Sequence, residues 1–312
     1  SVPTIRNSRS SALVTIIPGR NQGNDGGGFI GLNCGYIYNC YATGNVHVTI
    51  DSGAGFCSDN RGHIESCYAT GDVYNEEYGV SLSAFVTNNG LNAGYGEYYP
   101  GTILNCYATG KLEAPEAPSD VIATPTHING FVSIDFVNAG ARMANCYYDS
   151  TKNPDLYGDT ELYQNGAYGI STEEMQSKEF VDSLNMMAAV MGTALWQYNA
   201  GAYPTPTDTK ATNVQPLFGG GDGTEANPFI IADKEHLKNL AYAANRNWSF
   251  SGQYLKQTAD IALNAPMESW GSAMPTPWKP IAAYVGTGHS NSNIPHFCGV
   301  YDGGMHTVSN MY

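Results

Sequence analysis

Charged side chains are scarce in this chain, and basic ones are especially scarce. Only 13% of the residues are charged, against roughly 25% in an ordinary soluble domain. With 14 Lys and Arg against 28 Asp and Glu, the formal net charge is −14. No run of basic residues is long enough to form a stripe. Because nucleic-acid phosphates are bound by clustered Lys and Arg, this composition argues against a nucleic-acid partner.

Long apolar runs are missing as well. The longest candidates are Met186–Met191 and Leu13–Ile17, far shorter than the roughly 20 residues of a membrane-spanning helix. We therefore predict no membrane span. The first residues contain no apolar segment of a signal peptide, so we expect any export signal to have been removed or to lie upstream.

Motifs that carry catalysis or hold metals are also lacking. The seven histidines form no HExxH or His–x–His motif, and the repeat cysteines form no CxxC pair. Glycoside hydrolysis needs two facing carboxylates, whereas Glu65, Asp72 and Asp149 are isolated. Gly219–Thr224 resembles one calcium-binding loop but has too few aspartates, so we interpret it as a turn. We predict no enzyme activity, no cofactor and no metal site.

What the sequence does contain is a repeat. Its copies share all or part of the pattern Ile-x-Asn-Cys-Tyr-Ala-Thr-Gly, and the first copy is degenerate. The copies are Ile5–Val14, Ile37–Val46, Ile64–Val73, Ile103–Leu112 and Met143–Asp149. The shortest interval, 27 residues, approximates one structural turn, and longer intervals contain insertions such as Asn88–Gly101 and Ala114–Asn129. A phenylalanine landmark precedes each of the last four copies: Phe29, Phe56, Phe85 and Phe131.

Alternation within each copy predicts a β-strand that stacks on its equivalents. Cys40, Ala42 and Val46 are expected to point inward, and Tyr41 and Thr43 outward, with a bend at a glycine where only small residues fit. Stacking at about 4.8 Å then places equivalent residues in ladders. The predicted structural ladder is Cys40, Cys67, Cys106 and Cys146, which we interpret as small buried apolar residues rather than disulfides.

A row of outward tyrosines is the predicted surface feature. Its members are Tyr41, Tyr68, Tyr107 and Tyr147. Exposed aromatic rows stack on sugar rings, so this row is the candidate ligand surface. The alternative is that these rings pack beneath inserted loops such as Asn88–Gly101.

The pattern Gly-Gly-Phe-Ile-Gly, followed by Ile-Tyr-Asn-Cys-Tyr-Ala-Thr-Gly-Asn-Val, resembles the GLUG repeat. That repeat occurs in bacterial surface adhesins, in filamentous haemagglutinin-like proteins and beside the catalytic domain of IgA-specific metallopeptidases. The resemblance covers residues 1–150 in five copies. It implies an all-β fold, a right-handed parallel β-helix with short capping helices, in an extracellular or cell-surface protein. It brings no catalytic residues, because the repeat is an architecture.

Three regions are predicted. Residues 1–203 form the repeat module, closed by a helix that starts at the capping box Ser171–Glu174 and runs to about Met191. Residues 204–217 are a linker. Residues 218–312 open a second GLUG-type module, in which Asp233 caps a helix that ends near Asn245. We expect the chain to be an excerpt of a longer protein, or neighbouring copies to stack end to end.

These observations predict an adhesin-type or architectural module with a non-catalytic binding or spacer role. The expected partner is a host or bacterial surface glycan or protein. Two alternatives stay open: a non-catalytic segment of a carbohydrate-active β-helix enzyme or surface protease, and a pure stalk. Exposed tyrosines on an insertion such as Tyr95–Tyr99 would favour adhesion, paired acids in one groove would favour the enzyme, and smooth faces would favour the stalk.

Overall fold

The chain forms two compact units in the computed structural model. The main segments of the first unit are Ser1–Ala188 and Thr193–Lys210, and those of the second are Ala211–Thr287 and Ile294–Tyr312. The structure describes residues 2–17, 26–49, 52–76, 81–94, 96–115, 127–136, 140–154, 163–164, 166–214, 217–269, 275, 277–283 and 295–312.

In the first unit, the strands of each repeat pair in parallel with the equivalent strands of the repeats before and after it. Five short sheets result. Sheet 1 contains Thr4–Arg6, Tyr36–Tyr38, His63–Glu65, Thr102–Leu104 and Arg142–Ala144. Sheet 2 contains Arg9–Ser10, Tyr41–Ala42, Tyr68–Ala69, Tyr107–Ala108, Cys146–Asp149 and Ala167–Ile170, with Tyr163–Gln164 antiparallel at its edge.

The other three sheets follow in the same order along each repeat. Sheet 3 contains Val14–Ile16, Val46–Val48, Val73–Asn75 and Leu112–Glu113. Sheet 4 contains Gly26–Gly27, Gly53–Ala54, Ser81–Ser83 and His127–Asn129. Sheet 5 contains Ile30–Asn33, Cys57–Asn60, Val86–Asn89 and Val132–Asp135. The prediction of a mostly β fold with stacked parallel strands is confirmed.

Each ten-residue motif was expected to be a single strand, and this is wrong. In one copy, Ile37 belongs to sheet 1, Tyr41 to sheet 2 and Val46 to sheet 3. The chain turns at Asn39, whose φ is 53°. The equivalent Ser66, Asn105 and Asn145 have φ between 51° and 55°. Asparagine tolerates this left-handed conformation better than most residues, so the polar ladder marks a corner rather than a strand interior.

The predicted inward positions fill the interior of the first unit. Cys40, Ala42 and Val46 are all fully buried. The phenylalanine landmarks form a stacked row with ring centroids 4.9, 4.9 and 4.7 Å apart from Phe29 to Phe131. Identical apolar side chains at equivalent positions therefore share one continuous core, as expected when no single repeat can bury its own face.

A second ladder, of amides, lies inside sheet 5. Asn33 donates from Nδ2 to Oδ1 of Asn60, Asn60 donates to Asn89, and Asn89 donates to Asp135, each over 2.8 Å. Asn60 and Asn89 each accept one of these bonds and donate the next, and Oδ1 of Asn33 accepts from the N–H of Gly35, which offsets the cost of burying the amides.

The predicted helix after the repeats is present in two segments. Helix α1 is Thr172–Met175, and its Ser171 and Glu174 form the predicted capping box. Helix α2 is Lys178–Met191. The predicted linker is partly wrong, because Thr205–Lys210 is a strand that pairs antiparallel with Ala194–Gln197. No helix in the described part of the chain is long and apolar enough to cross a membrane.

The second unit contains the predicted helix. Helix α3 is Lys234–Ala244, and the Asp233 side chain accepts from the backbone N–H of His236. Phe229–Ile231, Tyr254–Gln257 and Val300–Asp302 form a parallel sheet. Ile261–Ala262 and Val308–Ser309 form a second parallel pair. A 3-10 turn covers Met267–Ser269.

Candidate functional site

The predicted tyrosine ladder exists as a stacked row. Tyr41, Tyr68, Tyr107 and Tyr147 occupy paired positions of sheet 2. The ring centroids of Tyr41 and Tyr68 are 4.7 Å apart, and those of Tyr68 and Tyr107 are 5.0 Å apart. The rings are nearly parallel in both pairs. The repeat therefore places four identical side chains on one outward face, as the alternation predicted.

That face is covered. Tyr107 is 0% exposed, Tyr147 2% and Tyr68 6%, so the prediction that the ladder is a surface feature is wrong for these three residues. Tyr41 is half-buried. The alternative predicted that inserted loops bury these rings, and this is also wrong. The side chains that cover the rings belong to the segment after the repeats. The packed cluster contains Met175, Phe180, Val181, Leu184 and Trp196.

Specific contacts hold this cover on the ladder. The ring of Trp196 lies 5.2 Å from that of Tyr107, and the ring of Phe180 lies edge-on, 5.0 Å from that of Tyr147. The Tyr107 hydroxyl donates to the carbonyl of Pro204 over 2.6 Å. Burial raises the pKa of Tyr107 well above its usual value, so the hydroxyl remains a donor. The buried tyrosines of the row therefore join the repeats to the segment that follows them, and they offer no free face to a ligand.

A buried carboxylate anchors the same cover. Asp149 is 0% exposed and accepts from the Thr172 and Tyr203 hydroxyls, each over 2.6 Å. Burial and the Asp149 carboxylate raise the pKa of Tyr203 to about 12, which keeps that donor protonated. Sequence reasoning treated Asp149 as an isolated acid. Its other oxygen accepts from the nearby backbone N–H of Thr151 over 2.9 Å, but the two hydroxyls lie 23 and 54 residues away, so nothing local indicates them.

The cysteine ladder is structural. Cys40, Cys67, Cys106 and Cys146 are free thiols and fully buried. Each thiol donates to the carbonyl two residues earlier, over 3.1 to 3.4 Å. Burial raises the pKa of Cys146 to about 12, so its sulfur is the unreactive thiol rather than the thiolate. The interpretation of these residues as small buried side chains is confirmed.

The sulfurs also accept hydrogen bonds from neighbouring repeats. The backbone N–H of Cys40 donates to Sγ of Cys67, and that of Cys67 donates to Sγ of Cys106, each over 3.3 Å. Alanine at these positions would leave those N–H groups without this acceptor. In the degenerate first copy, the Ser8 hydroxyl donates to the carbonyl of Arg6 over 2.9 Å, which repeats the thiol contact.

The other acids of the repeats also have structural partners. Glu65 lies 3.0 Å from the imidazole of His63, and Asp72 accepts from the backbone N–H of Lys111 over 2.8 Å. In the predicted turn, Asp222 accepts from the N–H and hydroxyl of Thr224. Among the residues that the structure describes, no three His, Cys, Asp or Glu side chains are grouped to hold a metal ion.

Aromatic surface is exposed on an insertion instead. Within the predicted insertion Asn88–Gly101, Leu91–Gly94 and Glu97–Tyr99 pair as an antiparallel hairpin. Tyr98 is 52% exposed and Tyr99 43%. The Arg61 guanidinium lies 6.0 Å from the centre of the Tyr99 ring and 2.7 Å from Asp59, so a fixed cation lies beside the hairpin. Tyr95 lies outside the described residues.

The hairpin formed by Leu91–Gly94 and Glu97–Tyr99 is therefore the candidate contact site of the first unit. Sequence reasoning named its tyrosines as the feature that would favour adhesion, but composition alone predicted a loop rather than paired strands. Tyr98 and Tyr99 are consecutive residues of one hairpin strand, so the strand presents one exposed ring on each of its faces. Comparisons with protein-family models, with curated proteins and with solved structures find no significant match to this chain.

Proposed function

We propose that the chain is a non-catalytic module of an extracellular or cell-surface adhesin-type protein, and that its contact site is the hairpin of Leu91–Gly94 and Glu97–Tyr99. The observation that carries the proposal is the exposure of Tyr98 and Tyr99 on an insertion of the repeat stack. The resemblance to the GLUG repeat of bacterial adhesins supports it. The partner is a glycan or protein of a host or bacterial surface.

The first unit is, in this proposal, a right-handed parallel β-helix. Each repeat contributes to the same sheets in the same order, and equivalent residues pair in register across four or five copies. Crossovers between parallel strands of one sheet are almost always right-handed, which supports the hand. Such a stack is an architectural support for the hairpin that it carries.

Tyrosine suits a contact surface for a physical reason. Its ring supplies a large amphipathic area, and only two side-chain torsions must be fixed on binding. Here the backbone of the ring-bearing strand is already held by pairing with Leu91–Gly94. This pairing lowers the entropy cost of ordering the two strands when a partner binds. A hairpin on a regular stack satisfies both conditions.

The test is adhesion of fluorescent beads coated with the purified protein. The beads are applied to cultured epithelial cells, to bacterial cells and to an immobilised glycan panel. We expect saturable retention on one of these surfaces, and at least a tenfold loss with the double variant Tyr98→Ala and Tyr99→Ala. Circular dichroism establishes that the variant keeps its fold.

The matched control is Tyr198→Ala. Tyr198 is 42% exposed in the same unit, close to the 43% of Tyr99, but it lies outside the hairpin. Its substitution should leave retention at the parental level. Equal retention of the hairpin double variant, or equal loss in the Tyr198 variant, would contradict the assignment of the hairpin. Absence of saturable retention of the parent would leave only the architectural role.

A further inference from the structure

The second unit contains a cleft of about 450 Å³ beside helix α3. This volume lies within the range of about 300 to 1,000 Å³ that is typical of small-ligand sites. Among the residues that line it are Lys234, Lys238, Tyr242, Arg246, Trp278 and Lys279. Lys234, Lys238 and Tyr242 are spaced by four residues, which places them on one face of α3.

The charge of the cleft is opposite to that of the protein. Four of the 14 basic residues line it, although the net charge is −14. No acidic residue is among its described lining residues. Within the part of the chain that the structure describes, neither Lys234 nor Lys279 takes part in an ion pair. Lys238 pairs with Glu235 over 3.0 Å, but both side chains are exposed, and such pairs are easily exchanged.

Hydrogen bonds hold the segment that contributes Trp278 and Lys279 to the cleft. Asn245, at the C-terminal cap of α3 and 4% exposed, donates to the carbonyl of Pro280 over 3.0 Å and accepts from the N–H of Ala283 over 2.6 Å. The N–H of Trp278 donates to the carbonyl of Tyr312 over 2.6 Å. The aromatic and basic residues that lie after the helix are thus held in place by backbone contacts.

We propose that this cleft binds a small carbohydrate that carries one carboxylate, as a uronic acid does. The lysines and Arg246 supply the cationic partners of the carboxylate. Trp278 supplies a ring face for the apolar C–H face of a sugar. The ring of Tyr242 instead holds the Arg246 guanidinium, which lies 4.1 Å from the ring centre. A polyanion is disfavoured, because it extends beyond the cleft and is repelled by the net charge of −14. A single carboxylate interacts mainly with charges within a Debye length of about 8 Å, and those in the cleft are cations.

This site goes beyond the proposed adhesive role and does not depend on it, because the hairpin lies in the other unit. The test is titration of the whole chain with D-glucuronate, D-glucose and inorganic phosphate, followed by tryptophan fluorescence and ligand-observed NMR. We expect saturable binding of glucuronate, at least tenfold weaker binding of glucose, and at least tenfold weaker binding of phosphate. Raising the salt from 50 to 300 mM should weaken glucuronate binding.

Variants locate the site. Lys234→Gln and Lys279→Gln should each weaken glucuronate binding at least fivefold, and Trp278→Phe should remove the fluorescence change. The control is Lys256→Gln, since Lys256 is exposed in the same unit but does not line the cleft. It should bind as the parent does. All four variants keep the hairpin, so they should retain the bead adhesion of the parent.

Three results would overturn the inference. The first is no saturable binding of glucuronate by the parent. The second is equal binding of glucose or phosphate, which would remove the acidic sugar as the ligand. The third is loss of binding in Lys256→Gln equal to that in the cleft variants, which would show a diffuse charge effect. None of these results changes the outcome of the bead assay, so the two proposals fail separately.

Discussion

Substitution of Gly71 by alanine should destabilise the first unit severely. Gly71 stacks on the equivalent Gly44, and a Cβ at Gly71 would lie 1.9 Å from the carbonyl oxygen of Gly44. Carbon and oxygen atoms in contact need about 3.3 Å. The two repeats would therefore have to separate locally by more than about 1 Å. From the sequence alone, glycine is expected here because a larger side chain would crowd the interior. The structure shows that a side chain would instead collide with the backbone of the neighbouring repeat.

The hydrogen bonds beside Gly71 determine how much the substitution lowers the free energy of unfolding. The backbone N–H of Thr70 donates to the carbonyl of Ala42 over 2.9 Å, and the backbone N–H of Val46 donates to the carbonyl of Asp72 over 2.8 Å. A separation of about 1 Å takes both beyond hydrogen-bonding range. Overpacking costs about 1 to 3 kcal/mol and each lost bond about 1 kcal/mol. The free energy of unfolding should fall by about 3 to 5 kcal/mol, a large part of the total of about 5 to 15 kcal/mol for a domain.

Urea denaturation followed by circular dichroism measures this loss. The control is Gly96→Ala in the hairpin, where a Cβ meets nothing within 4 Å and only the φ of 82° opposes the substitution. That variant should lose about 1 kcal/mol. If Gly71→Ala unfolds at the same urea concentration as Gly96→Ala, the repeats are not packed as closely as the structure indicates.

Three further substitutions test other contacts. Asp149→Ala removes the acceptor of two part-buried hydroxyls and of the Thr151 N–H, so thermal denaturation should show a loss of about 3 kcal/mol, and iodide should quench Trp196 more strongly; unchanged quenching would contradict the anchor. Burial raises the pKa of Asp135 to about 7, above about 3.9 in the unfolded chain, so its ionisation removes stability as the pH rises from about 4 to 7. Asp135→Asn should abolish that decline and gain at most about 4 kcal/mol at pH 8, with little change below pH 4, whereas parallel pH profiles would refute this. Phe85→Ala should cost about 3 to 5 kcal/mol in urea denaturation, because the ring stacks between Phe56 and Phe131, and a loss below 1 kcal/mol would contradict the stack.

The sequence predicted the features that depend on local or repeated chemistry. The capping box at Ser171 and the cap at Asp233 depend on residues within three positions, so they could be recognised directly. The inward position of Cys40 followed from the repeat, because equal residues at equal intervals stack when the repeats do. These predictions needed no knowledge of distant contacts.

Features that depend on distant partners were not predicted. The apolar stripe of α2 indicates that one face is buried, but not that it covers Tyr107 and Tyr147. Asn39 fits an alternating strand by composition, and only its left-handed φ reveals the corner. The amide ladder was missed although Asn33 and Asn60 each lie four residues after a phenylalanine landmark, because equal spacing does not show that polar side chains point inward and bond to one another.

The amide ladder has a direction. Asn33, Asn60 and Asn89 each pass an N–H to the next repeat, and Asp135, an ionisable acceptor, receives the last one. Duplication of an asparagine-bearing repeat anywhere before Asp135 preserves the donor–acceptor order. Duplication of the repeat that contains Asp135 would bring two carboxyl groups face to face, with no amide hydrogen to share between them. The array is thus free to lengthen by gene duplication on one side of Asp135, and that acid sets the end of the series.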